Sequence, residues 1–165
     1  MQGRIGLLFD CLRAPYDIAQ IMQVATALGN CDLYTSGNSI NTKNMKVIGK
    51  VRSWGIIDVP DFEHFYTFEE AVNRLHKRNK YLLGTSLHAN DDIYETNFVF
   101  KDTVVVFGTE SSGLTSRKVT LLDKIIKIPM DSKCKFLTLS TAVPIVAYEF
   151  YRQIRRLEDE KLLER

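Results

Sequence analysis

An α/β domain with a largely parallel sheet flanked by helices is the fold class this sequence predicts, on three observations. Short apolar runs of strand type alternate along the chain with segments of helical periodicity. Two of those runs, Thr103-Val104-Val105-Val106-Phe107 and Ile125-Ile126-Lys127-Ile128, stop at glycine- or proline-containing loops, Gly108 to Leu114 and Pro129-Met130. Open α/β sheets bind ligands at such strand ends, because backbone polar groups are freed there and helix N-termini point at them. Finally, no repeat, linker or low-complexity block divides the 165 residues, so a single domain spanning 1–165 is expected.

Taken in order, Ile5-Gly6-Leu7-Leu8-Phe9 reads as a buried strand entered directly from Met1-Gln2-Gly3-Arg4, and Asp10 to Pro15 as the loop after it. Ile18, Ile21, Met22, Ala25 and Leu28 recur at helical spacing, with Asp17 placed to cap the helix and Gly29 to stop it. Cys31 to Thr35 is the next strand and Ser36 to Asn41 a loop by composition. Lys43, Lys46, Lys50 and Arg52 make a basic segment of short-helix type, read first as a solvated face and second as an RNA contact. Phe62 to Tyr66 is a strand, and Thr67 caps a helix over Phe68 to Leu75 that closes in the basic run from His76 to Lys80. Tyr81 to Ser86 is another buried strand, followed by a polar region from Ala89 to Thr96. The last helix is expected to start at Ser140 or Thr141, with Pro144 in its first turn and a stripe of Val143, Val146, Ala147, Phe150 and Ile154 that something must cover. Beyond Arg155 the charged sequence to Arg165 is expected to project or fray.

Composition is ordinary for a soluble globular protein, at 45% hydrophobic and 25% charged. A net charge of +2 does not by itself mark a nucleic-acid binder, since such sites depend on where charge lies. Cys11, Cys31 and Cys134 are odd in number and form no CxxC pair, which argues against a disulfide framework and against a zinc or other metal site. A reducing cytoplasmic location follows, and no stretch is apolar for the length of a bilayer, so no membrane partner is expected.

Val105 to Leu114, Ile128-Pro129-Met130 and Leu137 to Glu149 together resemble the second and third motifs of the SpoU-like branch of the SPOUT RNA methyltransferases. Pro15 to Gly29 aligns without gaps to that family's first motif, a proline-asparagine-glycine-arginine helix, and Thr85 stands where the family usually has a threonine. The resemblance implies a C-terminal deep trefoil knot, a homodimer, and transfer of a methyl group from bound S-adenosylmethionine to RNA (tRNA or rRNA), most readily at a ribose 2′-hydroxyl. It places the cofactor against Thr85, Phe107, Gly108, Thr109, Glu110, Ile128, Met130 and Leu137. It also implies that the last helix and the first meet across the dimer, which would cover the stripe ending at Ile154. The residues agree with such a site: Gly108 lets backbone lie against a flat ring in dihedrals closed to other residues, and Ile128, Met130 and Leu137 offer apolar surface to adenine.

The RNA half of the pattern departs from the family. Its motif arginine falls on Gln23, its asparagine on Asp17, and its serine-leucine-asparagine triplet on Phe136-Leu137-Thr138, while Glu110 is retained. A ribose hydroxyl is a weak acid, so its methylation benefits from a proton acceptor and from positive charge on the neighbouring phosphate. Glu110, Gln23, Asp17 and Thr138 are the candidate catalytic positions, and Arg13, Arg52 and Arg117 the candidate RNA contacts. Phe136 is read as packing under the knot, with base stacking as the alternative. A second functional class stays open, a catalytically silent dimer of the same fold that binds RNA, cofactor or a protein. A generic nucleotide-binding protein is disfavoured, because no strand is followed by GxGxxG or GxxxxGK[ST].

Overall fold

The computed structural model describes residues 3–163. Met1 and Gln2, read as leading into the first strand, and Glu164 and Arg165, read as part of a charged tail, lie outside the described residues. Eleven elements follow one another: β1 (Ile5–Asp10), α1 (Pro15–Leu28), β2 (Cys31–Ser36), α2 (Met45–Ser53), β3 (Phe62–Phe65), α3 (Phe68–Lys77), β4 (Tyr81–Thr85), β5 (Thr103–Phe107), α4 (Ser116–Val119), β6 (Lys124–Ile126) and α5 (Leu139–Leu163). The six strands form one sheet in the order β3-β2-β1-β5-β4-β6, and every pairing is parallel.

A parallel sheet buried on both faces explains the unbroken apolar runs. Alternate residues feed two cores. Ile5, Leu7, Phe9, Leu83, Val105 and Phe107 pack with α1, α2 and α5, whereas Leu8, Leu82, Val104 and Val106 pack with Phe68, Ala71, Val72 and Leu75 of α3. All strand ends therefore lie along one edge. Strand order reverses between β1 and β5, which places a topological switch point between Asp10 and Gly108.

Several elements differ from their sequence reading. Helix α1 begins at Pro15 with Ala14 at the cap position, so Asp17 is not the cap; it sits inside the first turn, where its charge still suits the helix dipole. Gly29 does stop that helix, at φ 73° with its N–H on Ala25 O. Thr67 caps α3 as expected, accepting from Glu70 N at 3.0 Å, and the Glu70 carboxylate accepts in turn from Tyr66 N. Helix α5 starts at Leu139, which moves Pro144 beyond the first turn to a position where it removes a helical hydrogen bond. Instead of fraying after Arg155, α5 stays helical to Leu163, helped by the Arg156–Glu160 pair at 2.9 Å.

The stripe on α5 is already covered within one chain: Val143, Val146 and Ala147 are fully buried, packed against α1 and the sheet. A dimer is thus not needed to cover it, contrary to expectation. The supposed polar region after β4 also hides core residues, since Ala89 and Ile93 are buried, as is Phe98 just beyond it. The last strand is shorter than read, because Lys127 leaves the ladder and bonds instead to Asp91 O at 3.0 Å and Ile93 N at 2.9 Å.

Candidate functional site

The sequence candidates gather at the C-terminal edge, on the loops beyond β5, β4 and β6. After Phe107 the chain forms a tight hairpin in which Thr109 and Gly113 exchange hydrogen bonds of 3.2 and 2.8 Å. Gly113 turns it at φ 64°, and the Thr109 and Ser112 hydroxyls lie 2.8 Å apart. Glu110, Ser111 and Ser112 are left at an exposed tip. Gly108 does not use the unusual dihedrals expected of it, yet a side chain there is excluded. Its φ is not positive; a Cβ there would lie 2.0 Å from the Gly113 carbonyl carbon and 2.2 Å from Leu114 N, so the hairpin folds back over it.

Thr85 ends β4 opposite Ile126 and donates from Oγ1 to Val106 O at 3.1 Å, tying two neighbouring strand ends. Ser86 N continues the edge with a bond to Ile126 O at 2.9 Å. Ile128, Met130 and Leu137 are each half-buried, and their backbone N–H groups have no hydrogen-bond partner among the described residues. The Phe107 side chain is in the core, stacked on Phe9 at 5.3 Å, so only its backbone faces this edge. Phe136 is 67% exposed, which removes the expected packing role. Thr138 immediately precedes α5; its carbonyl accepts from Ala142 N at 2.9 Å and its hydroxyl lies 3.1 Å from those of Ser140 and Thr141.

Asp17, half-buried in the first turn of α1, and exposed Arg13 in the preceding loop share the edge. Arg117 on α4 reaches it as well, with its guanidinium 3.7 Å from Glu69. Two candidates are not brought together with the rest. Gln23 is exposed about two turns down α1, and Arg52 is exposed in the last turn of α2, which runs away from the edge.

Asp10 is the group that sequence reading missed. Counted there as a loop residue, it ends β1 with its side chain 1% exposed, accepts from Ser36 Oγ at 3.0 Å, and forms an ion pair with Lys118 of α4. Lys118 also lies over the Phe68 ring at 5.2 Å. A buried charge persists only when paired and hydrogen-bonded, so this contact fixes α4, and the hairpin before it, against β1 at the switch point. The available signal was a lone carboxylate closing an entirely apolar strand. Its partner lies 108 residues away and left no local trace.

Comparison with known proteins agrees with this fold. A curated 23S rRNA (uridine(2479)-2′-O)-methyltransferase of Streptomyces viridochromogenes is 29% identical over 153 residues, covering 90% of this chain and 53% of the relative. A tRNA (guanosine(18)-2′-O)-methyltransferase of Thermus thermophilus is 26% identical over 156 residues, covering 92% and 76%. The chain thus spans about half the length of some curated relatives it matches. Among solved structures, the SpoU methyltransferase AviRb from Streptomyces viridochromogenes superimposes with a TM-score of 0.82 at 25% identity, covering 94% of this chain and 62% of that one. A second structure of AviRb, in complex with the cofactor AdoMet, gives a TM-score of 0.80 at 25% identity over 93% and 58%. The model of the SpoU rRNA methylase family matches residues 4–148, nearly the whole described chain, and the chain belongs to that family.

Proposed function

We propose that this chain transfers a methyl group from S-adenosylmethionine to a ribose 2′-hydroxyl of RNA, either tRNA or rRNA, as one methyltransferase domain in a cytoplasmic homodimer. The observation that carries the reading is the family match running through all three loop segments that meet at the β5, β4 and β6 ends. Named relatives methylate ribose 2′-hydroxyls of rRNA and tRNA, and AviRb has been seen with AdoMet. A C-terminal trefoil knot is part of the proposal. Its support is the placement of β6 on the side of β4 away from β5, with Lys127 held by the loop that joins those two strands.

The residues at this edge suit the cofactor. Ile128, Met130 and Leu137 combine half-buried apolar side chains with unpartnered backbone donors, the combination that holds a flat heterocycle by its faces and its edge. When bound, S-adenosylmethionine supplies an electrophilic methyl group. The chain's part is to place the hydroxyl and manage its proton. Glu110, at the hairpin tip, is assigned as the carboxylate that polarises or accepts that proton. Asp17 stands as a second carboxylate on the same edge, Thr138 as a hydrogen-bonding hydroxyl, and Arg13 and Arg117 as charges for the adjacent phosphate. Gln23 lies outside this cluster within its own chain.

Radiolabelled methyl transfer into RNA from cells lacking the protein tests this. Wild type is expected to label RNA, and Glu110→Gln to slow labelling by ~10²-fold or more at saturating cofactor, a loss that exceeds any fall in calorimetric cofactor affinity. The positions of Gln23 and Thr138 favour one alternative, a catalytically silent binding dimer. Labelling by wild type at the level of a no-protein control overturns the enzyme reading and favours that alternative.

A further inference from the structure

The basic segment around α2 has no place in the site just described. From Lys43 to Ile57 the sequence holds four cations and no carboxylate, in a chain whose net charge is only +2. Val47 and Val51 of α2 face the core, which leaves Lys46 and Lys50 one turn apart on the solvent side. About half of the cations elsewhere among the described residues are matched, as in Arg4–Asp32, Arg78–Glu63, Lys80–Asp102 and Lys124–Asp91. Lys43 too is paired, with Asp61 at 3.1 Å. Lys46, Lys50 and Arg13 are among those with no carboxylate partner among the described residues, and they differ in lying together, on the run from Lys43 to Ile57 that no carboxylate interrupts or on the loop fastened to it. Lys50 lies instead over the Trp54 ring, 5.4 Å from its centroid.

Position connects this ridge to the active edge. The loop before α2 leaves the C-terminal end of β2 and is fastened to the loop after β1 by Leu12 N to Ser39 Oγ at 2.8 Å and Ile40 N to Leu12 O at 2.9 Å. Arg13 is the next residue. The cationic line therefore starts beside the proposed target site and runs down α2, away from it.

We infer that Arg13, Lys46 and Lys50 form a rail for the phosphate backbone of the substrate RNA, holding nucleotides outside the target position. The inference rests on the RNA reading above. Flexible ammonium groups track phosphates without reading bases, so the rail supplies affinity common to many sequences and leaves selection of the target to the hairpin side.

Trp54 is the only tryptophan, and its contact with Lys50 makes its emission a direct reporter. Deproteinised total tRNA is titrated into the full chain at several salt concentrations, following Trp54 fluorescence and an independent anisotropy signal from labelled tRNA. For the double substitution Lys46→Gln/Lys50→Gln, the expected result is affinity weaker by about tenfold near 0.1 M salt and a log–log salt slope shallower by about 1.5. Lys46→Arg/Lys50→Arg should restore both, and calorimetric binding of S-adenosylmethionine should not move. Unchanged affinity and slope in the glutamine variant overturn the rail, as does Trp54 quenching by anionic phosphatidylserine vesicles but not by tRNA. The two readings fail separately. Wild type that binds tRNA through these lysines but labels no RNA removes the enzyme and keeps the rail; full methylation with unaltered kcat/KM in the glutamine variant removes the rail and keeps the enzyme.

Discussion

Asp10 and Lys118 join the two halves of the sheet edge at the switch point, and they do so at a cost. Removing a carboxylate from water is expensive, and the Ser36 hydroxyl and Lys118 ammonium offset it only while both are present. Lys118 is 25% exposed, so the pair is screened on one side. Lys118→Met is therefore expected to destabilise the fold by about 2–3 kcal/mol, below the roughly 3–5 kcal/mol of breaking a fully enclosed pair. Adding Asp10→Asn should recover part of that loss, because no unpaired charge then stays buried. Urea denaturation of the two variants checks both statements; a loss under ~0.5 kcal/mol in Lys118→Met would mean that water reaches Asp10. Gly108 is constrained just as tightly, but by backbone. Any side chain there collides with Gly113 and Leu114, so substitutions at Gly108 report on the hairpin before they report on a ligand.

At the scale of elements, α5 does more than cover the sheet. Glu149 is buried on it and accepts 2.8 Å bonds from Arg152 Nε, Arg152 Nη2 and Gln153 Nε2. Gln153 also bonds to Thr96 O and Phe98 N, fastening the long β4–β5 loop to the helix. The hydrogen bonds from Arg152 hold the Glu149 carboxyl below the usual carboxylate range, against the opposing effect of burial. A depressed pKa means that the unfolded chain binds more protons there than the folded one, so this contribution is present above the unfolded value and is lost as pH falls through the folded one. Stability should drop as pH falls through and below the usual carboxylate range, and Glu149→Gln should be less stable at pH 7 with a flatter acid limb. Thermal melts across that range measure it.

The same loop marks where sequence reading ran out. Strands β1, β4 and β5 were legible because buried parallel strands read as continuous apolar runs, and the glycine after β5 and the proline after β6 pointed to the edge where the candidates gather. Ile93 and Phe98 were not legible, since their burial depends on long-range closure over β6 and α5 rather than on local period. Four-residue α4 was too short to show periodicity. In the site, a loop from Gly108 to Gly113 could be read from its glycines, though not its hairpin form, whereas the link from Asp10 to Lys118 joins distant segments and leaves no pattern in either one.

The whole molecule raises the question of what the second half of α5 is for. Its first half is buried against α1 and the sheet, but Tyr148 is 48% and Tyr151 38% exposed, with their rings edge to face at 6.0 Å. Beyond them Arg152, Arg155, Arg156, Asp159, Glu160 and Leu163 line an open groove on the same helix. Tyrosines, arginines and mixed charge in one patch match the make-up of association surfaces, which favour Tyr and Arg at the centre with a polar rim. A two-fold axis through that patch would place tyrosine against tyrosine and let Arg155 meet a carboxylate of the second copy, as an isologous contact requires. The homodimer proposed above is thus assigned to this outer face of α5; the inner stripe is already in use. Sedimentation velocity at micromolar concentration should give twice the chain mass for wild type and a single chain mass for Tyr148→Asp/Tyr151→Asp, with the circular dichroism spectrum of the fold retained. Because Tyr148 and Tyr151 lie outside the proposed catalytic cluster, comparing methyl transfer by that variant with wild type separates two possibilities. Full activity in the monomer would mean that the edge from Asp10 to Thr138 is complete within one chain. Loss of activity with cofactor binding intact would mean that the second copy completes the RNA side, where Gln23, two turns from its own edge, is the residue with most distance to make up.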